Sequence, residues 1–175
     1  MPDRVRITLL CEDRNQEIFF RRVCHHLDQR PRVRVAPSGT GSAEQWVREN
    51  FAKELIALRS YGRERVGLIV VIDGDLEGVA GRKRKLNEAA QKAGVSKRAD
   101  NERVAICVPT RNIETWIMSL CRGVKVTETD DYSKSIERDE IKKAADLCKS
   151  KADDCNLLSC GDARREIARL DTQKT

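Results

Sequence analysis

Aromatic residues are scarce in this chain, and so are the patterns that mark several common classes of protein. Only 4% of its 175 residues are aromatic, and it has four prolines and two histidines. No apolar run approaches the roughly 20 residues that a membrane-spanning helix needs. The start, Met1-Pro2-Asp3-Arg4, does not resemble a signal peptide. These absences predict a cytoplasmic protein with no membrane partner.

The seven cysteines lack Cys-x-x-Cys spacing, so neither a disulfide framework nor a zinc finger is indicated. Cys24-His25-His26 is the segment most like a metal site, but adjacent positions on a helix point in different directions. Cys148, Cys155 and Cys160 have no histidine nearby. The cysteines are therefore interpreted as packed or incidental thiols.

The net charge of +6 is concentrated in one segment of the chain. Residues 79–111 hold 9 basic and 3 acidic side chains, whereas basic and acidic residues nearly balance on either side. Such a local excess favours a polyanionic partner, most simply nucleic-acid phosphate. A solvated helix face is the alternative interpretation of the same charges.

Short apolar segments alternate with amphipathic ones along the chain, and this alternation predicts the fold class. The predicted strands are residues 7–11, 33–35, 66–72 and 104–108, each followed by a predicted helix. Such an order is typical of a parallel sheet with right-handed crossovers and helices on both faces. We expect a three-layer, Rossmann-like α/β domain over residues 1–122, with a mostly parallel four-stranded sheet. Residues 123–175 are predicted to form a helical extension packed on the same domain.

Three carboxylates follow two of these strands directly, which makes them the best candidates for a functional site. Glu12 follows the first strand, and Asp73 and Asp75 follow the third. In an open α/β sheet the ligand crevice lies outside the carboxyl ends of the strands, where these residues can meet. An isolated Asp-x-Asp is more often a turn or a helix cap. The strand context and Glu12 favour a shared site.

Carboxylates in this arrangement point to divalent-metal chemistry. Two aspartates can share one Mg²⁺ that also keeps waters and substrate phosphate oxygens. Such an ion polarises a phosphodiester and lowers the pKa of its bound water. Glu12 is then a further metal ligand or a general acid-base.

These residues resemble a known family. Glu12 followed later by Asp73-Gly74-Asp75-Leu76-Glu77-Gly78 is similar to the Toprim pattern of an early glutamate and a later Asp-x-Asp-x-x-Gly. Leu10-Cys11-Glu12-Asp13, leading to Glu17-Ile18-Phe19-Phe20, resembles small Toprim-like proteins related to OLD-family nucleases of prokaryotic phage defence. The resemblance covers roughly residues 5–120. Many Toprim domains have glycine where this chain has Asp13.

The resemblance implies a Toprim-like fold and a Mg²⁺- or Mn²⁺-dependent nuclease. Glu12, Asp73 and Asp75 would hold the metal and act in catalysis. Glu114 is similar to a further acid of the OLD-like branch and would join them, although a glutamate there also suits a helix N-terminus. No tyrosine is placed as a topoisomerase nucleophile would be, and the chain is short for a primase.

We therefore expect a metal-dependent endonuclease, plausible in phage defence, with DNA favoured over RNA as substrate. Its phosphate contacts are predicted to come from one basic cluster: Arg82, Lys83, Arg84, Lys85 and Arg111. A regulatory or effector subunit that needs a partner ATPase is one alternative, since the chain has no Gly-x-x-x-x-Gly-Lys nucleotide loop. A metal-dependent phosphatase acting on a small substrate is another. Self-association is left open.

Overall fold

Four strands and six helices alternate in the computed structural model, which describes residues 5–39, 41–62, 64–123, 125–132, 136–150 and 157–172. The strands are β1 (Arg6–Cys11), β2 (Arg32–Val35), β3 (Val66–Val71) and β4 (Val104–Cys107). The helices are α1 (Arg14–Val23), α2 (Ala43–Ser60), α3 (Gly78–Lys92), α4 (Ile113–Arg122), α5 (Arg138–Ser150) and α6 (Leu158–Thr172). A 3₁₀ turn, Cys24–His26, follows α1.

The strands form one sheet in the order β2-β1-β3-β4, and every pairing in it is parallel. The register places Leu9 beside Ile69, and Ile69 beside Ala105. All three are fully buried, because a parallel sheet is covered by helices on both faces and selects continuous apolar strands. The predicted α/β class with a parallel four-stranded sheet is confirmed.

Alternate residues of the strands enter two separate cores. Ile7, Leu9 and Cys11 of β1 pack with α1, α4, α5 and α6 on one face. Leu10 packs with α2 and α3 on the other. Successive side chains of a strand point to opposite faces, so this alternation divides the protein into three layers.

Side-chain caps fix where three of the helices begin. The Oγ of Ser42 accepts the Gln45 N–H at 3.4 Å at the start of α2, and Asn112 Oδ1 accepts the Thr115 N–H at 3.2 Å at the start of α4. Asp13 Oδ1 accepts the Gln16 N–H at 2.8 Å before α1. Each bond satisfies an N–H group that has no partner within its helix.

Three boundaries differ from the sequence-based expectation. The amphipathic pattern from Asn15 to Leu27 predicts one helix, but α1 gives way to a 3₁₀ turn after Val23. The basic segment predicts a helix from about Arg82 to Ala93. The observed α3 begins one turn earlier, at Gly78, because the Gly74 carbonyl accepts the Glu77 and Gly78 N–H groups. The polar composition of residues 151–161 predicts a loop. Residues 151–156, with Cys155 among them, lie outside the described residues, but α6 already begins at Leu158.

The C-terminal helices pack on the sheet and cover its β4 edge. Arg98 donates to the Val104 carbonyl at 2.5 Å, and Glu166 of α6 accepts the Ile106 N–H at 3.5 Å. Arg98 and Glu166 also form an ion pair with each other. Because an uncovered edge strand can pair with another chain, these contacts protect β4.

The strand order creates a crevice at the carboxyl ends of β1 and β3. The chain leaves β1 toward β2 on one side, and it leaves β3 toward β4 on the other. Ligands of open α/β sheets bind where the direction of connection reverses in this way. Among the described residues, no helix is long and apolar enough to cross a membrane.

Candidate functional site

Glu12 and Asp73 meet at this crevice although 61 residues separate them in sequence. Glu12 directly follows β1, and its Oε1 accepts the backbone N–H of Asp73 at 2.5 Å. The Glu12 N–H in turn donates to Oε1 of the fully buried Gln16 at 2.9 Å. The backbone thus fixes the Glu12 carboxylate beside the end of β3, as the sequence pattern predicts.

The Asp73 carboxylate is buried and lies close to several other acidic groups. Its Oδ1 atom is buried and has no hydrogen-bond partner within the described part of the chain. Burial raises the pKa of Asp73 well above its usual range, and the negative charges of Glu12, Asp13, Glu114 and Asp75 raise it further. A buried carboxylate without a partner is costly and is stabilised by a proton or a cation.

Glu12 shares this environment. Burial raises its pKa to about 7, and the nearby Asp75 charge adds to the effect, while the bond from the Asp73 N–H opposes it. Because the pKa is higher in the folded state, protonation favours folding, and this contribution is complete below the unfolded pKa of about 4.5. It is lost as the pH rises through about 7. Above that pH the ionised Glu12 carboxylate adds its negative charge to the nearby charges of Asp13 and Asp75.

A close approach between two loops shapes the Asp73-Gly74-Asp75 segment. The Gly74 N–H donates to the Pro109 carbonyl at 2.8 Å, and the Asp75 N–H donates to the Arg111 carbonyl at 2.9 Å. A Cβ at position 74 would stand 2.1 Å from the Thr110 carbonyl oxygen. Only glycine fits there. Among the described residues, Asp75 is the one non-glycine with a positive φ, at 50°.

Glu114 and Asn15 bring two further helix starts to the same place. Glu114 lies in the first turn of α4, and its Oε1 accepts from Asn15 Nδ2 of α1 at 2.8 Å. The Glu114 charge also contributes to the raised pKa of Asp73. Glu114 therefore lies near the carboxylate cluster, as a metal-site residue would. It also lies in the first turn of α4, where a negative charge stabilises a helix N-terminus.

Arg82 holds the site from within the protein, which corrects its predicted role as a phosphate contact. Its side chain is only 7% exposed. Its Nε donates to the Asp73 carbonyl at 2.7 Å, and its Nη2 donates to Asp75 Oδ2 at 2.7 Å. Its Nη1 pairs with Glu44 at 2.6 Å. The guanidinium is thereby committed to three internal partners, so Arg82 positions the Asp73–Asp75 loop and does not face solvent.

Replacing Arg82 with Lys should therefore destabilise the protein despite the conserved charge. A lysine ammonium cannot reproduce the fork that bonds Asp73, Asp75 and Glu44 together. We expect the free energy of unfolding to fall by about 1–2 kcal/mol, measured by urea denaturation. Arg84→Lys is the matched control, since Arg84 is exposed and 3.6 Å from Glu88 on the same helix. Equal stabilities of the two variants would contradict the positioning role.

The other predicted phosphate contacts lie in different surroundings. Lys85 pairs with Glu77, and Arg111 lies 3.7 Å from Asp131. Arg84 is exposed on α3. Lys83 is half-buried and lines a hollow of about 280 Å³ together with Asn87 and Lys97. The basic segment is thus divided between internal ion pairs and an outward-facing set formed by Lys83, Arg84 and Lys97.

Sequence reasoning missed several residues that build the site. In the sequence Asp13 stands out only as a departure from the Toprim-like glycine, but in the structure it caps α1 and adds charge next to Asp73. The spacing Asp13-x-x-Gln16 before an apolar helix carries that cap signal. Asn15 and Glu44 carry no local signal, because their roles depend on contacts with distant segments.

The donor set suits a hard divalent cation that is only partly enclosed by protein. Among the described residues, no group of three or more His, Cys, Asp or Glu side chains is arranged to hold a metal ion. Mg²⁺ commonly takes one or two carboxylates and completes its shell with waters and substrate phosphates. The unpartnered Asp73 Oδ1 and the adjacent Glu12 carboxylate fit that mode of binding. They do not form a closed cage.

Comparisons with known proteins do not assign a function to this chain. Any assignment therefore rests on the chemistry of its residues. No family model, no curated protein and no solved structure matches the chain. The Toprim resemblance therefore stays a prediction that rests on Glu12 and the Asp73–Gly78 segment.

Proposed function

We propose that this protein is a Mg²⁺- or Mn²⁺-dependent nuclease that hydrolyses phosphodiester bonds at the Glu12–Asp73 site. One observation carries the proposal: Asp73 Oδ1 is buried without a hydrogen-bond partner in the described part of the chain, beside Glu12 at the reversal point of the sheet. The carboxylates around Asp73 concentrate negative charge there, and a bound cation would neutralise it. The Toprim-like assignment belongs to the same proposal.

In this proposal each residue has a distinct task. Asp73 and Glu12 hold the cation, which when bound polarises a phosphodiester and supplies an activated water. Without a cation the pKa of Glu12 is about 7, so cation binding near neutral pH would displace a proton from this carboxyl group. Asp75 and Glu114 add negative charge around Asp73. Arg82 fixes the loop through the Asp73 carbonyl and the Asp75 carboxylate.

The nucleic-acid backbone would be met by the outward-facing basic set, Lys83, Arg84 and Lys97. Arg84 and Lys97 are exposed, although Arg84 lies 3.6 Å from Glu88, whereas Arg82 is buried against Glu44. Solvent-accessible cations bind phosphates without reading sequence and make binding dependent on salt. This feature favours a polyanionic substrate over the small substrate of a phosphatase.

The test is to incubate the purified full chain with end-labelled single-stranded DNA, duplex DNA and RNA, each with MgCl₂, MnCl₂ or EDTA. We expect cleavage of at least one substrate with either metal and none in EDTA. Cleavage that persists in EDTA would point to a contaminant or to another mechanism. No cleavage of any substrate with either metal would reject an autonomous nuclease and favour the subunit that needs a partner ATPase.

A further inference from the structure

A second cavity lies at the amino-terminal ends of the strands, opposite the Glu12–Asp73 site. It measures about 360 Å³ and opens beside Arg6 and Val66, the first residues of β1 and β3. Since each strand has six residues and rises about 3.3 Å per residue, it lies roughly 20 Å from the carboxylates. Its volume falls within the roughly 300–1,000 Å³ of small-molecule sites.

The floor of this cavity is a part of the sheet that helix α2 leaves uncovered. Thr8 pairs with Arg32 on one side and with Leu68 on the other, so it lies in the interior of the sheet. It is nevertheless only half-buried. Thr8 faces the α2 layer, as Leu10 does two residues later. An opening over the middle of a parallel sheet is unusual, because both faces of such sheets are normally covered.

The wall of the cavity is apolar and carries one aromatic ring. Ala57 and Leu58 come from the last turn of α2, and Tyr61 follows that helix. Tyr61 is 42% exposed, and the Arg6 guanidinium lies 5.4 Å from the centre of its ring. An exposed ring beside aliphatic side chains offers a planar group a surface on which to stack.

The rim carries three arginines and two acids, Asp28 and Glu54, so its net charge is positive. Asp28 accepts the Ile7 N–H and the Arg30 N–H, both at 2.8 Å. Glu54 is buried and paired with Arg34. Its contact with Arg32 is loose, at 3.6 Å.

Three rim arginines face the opening. The side chains of Arg6 and Arg32 are 65% and 60% exposed, and Arg6 forms an ion pair with Glu64. The Arg30 guanidinium forms no ion pair within the described residues. Arginine is well suited to phosphate, because its planar fork donates two parallel hydrogen bonds.

We propose that this cavity binds a nucleoside phosphate, with its phosphates on Arg30 and Arg32 and its base against Leu58 and Tyr61. A nucleoside phosphate combines a planar, partly apolar base with a strong anion. The base matches the apolar wall, and the anion matches the arginines of the rim. Inorganic phosphate would use only the rim. A nucleoside without phosphate would use only the wall. The site would be separate from the proposed nuclease centre and would need no divalent cation.

The test is isothermal titration calorimetry of the full chain with ADP, adenosine and inorganic phosphate, all in EDTA so that the carboxylate site carries no metal. We expect saturable ADP binding, with adenosine and phosphate each at least about tenfold weaker, since each loses one set of contacts. Arg30→Gln and Arg32→Gln should each weaken ADP binding about tenfold and leave adenosine unchanged. Tyr61→Ala should weaken ADP and adenosine but not phosphate.

The matched control is Arg165→Gln, an exposed arginine on α6 that is absent from the cavity lining. It should bind ADP as the wild-type chain does. Thermal melts of all variants separate a binding defect from unfolding. The proposal is overturned if ADP does not bind, if adenosine or phosphate binds as tightly as ADP, or if Arg30→Gln and Arg32→Gln bind ADP normally. Nuclease activity is not part of these readouts, so failure here leaves the Glu12–Asp73 proposal standing, and the reverse also holds.

Discussion

Replacing Asp73 with Asn should reduce metal-dependent cleavage by about 10³-fold or more, because several kcal/mol of transition-state stabilisation depend on the bound cation. The substitution keeps the shape of the side chain but removes the charge of the group that has the unpartnered oxygen. Initial cleavage rates with saturating Mg²⁺ measure the effect.

A second readout distinguishes this loss from unfolding. Since burial and four neighbouring carboxylates raise the Asp73 pKa, the ionised group costs the folded state stability at about pH 8. Without metal, Asp73→Asn should therefore melt at or above the wild-type temperature, and the difference should shrink as the pH is lowered. Glu88→Gln, an exposed acid on α3, is the control and should change neither property. Full cleavage by Asp73→Asn would remove this residue from the mechanism.

Replacing Gly74 with Ala should destabilise the protein by about 3 kcal/mol or more, because a backbone oxygen cannot move aside as a flexible side chain can. The added Cβ would lie 2.1 Å from the Thr110 oxygen and 2.8 Å from the Pro109 oxygen. The loop after β3 would have to separate from the loop after β4, which would displace Asp73 and Asp75. Urea denaturation measures the stability, and cleavage rates measure the displacement.

Gly78→Ala is the matched control for this prediction. Gly78 also lies close to the site, and its φ is +65°, but a Cβ there would meet nothing within 4 Å. Its cost should be limited to about 1–2 kcal/mol of backbone strain. If Gly74→Ala were no more destabilising than Gly78→Ala, the close approach of the two loops would not constrain the site.

The sequence predicts those parts of the site that follow from strand ends and caps. Continuous apolar runs gave the strands, and a parallel sheet brings carboxyl ends to one edge, so the meeting of Glu12 and Asp73 followed from local patterns. The sequence around Ser42 and Asn112 likewise predicts where α2 and α4 begin, since a cap bond spans only three residues. The local sequence does not show that position 74 must be glycine. That requirement comes from the Thr110 carbonyl on another loop, which leaves no room for a Cβ.

The role of Arg82 shows what a linear pattern cannot supply. Within Arg82-Lys83-Arg84-Lys85 all four side chains have the same charge, so composition groups them together. On helix α3 they point in different directions, and only Arg82 turns inward toward Asp73, Asp75 and Glu44. A charge run therefore predicts the amount of positive charge but not how much of it reaches a ligand.

Binding of Mn²⁺ to the purified chain tests most directly whether Glu12 and Asp73 form a cation site. Electron paramagnetic resonance of free Mn²⁺, titrated with protein at about pH 8, where both carboxylates lose their protons in the presence of metal, reports bound ion without any substrate. We expect saturable binding to the wild-type chain and to Glu88→Gln, with loss of that binding in Asp73→Asn. Equal binding by wild type and Asp73→Asn, or no saturable binding by the wild type, would show that these carboxylates do not form a metal centre.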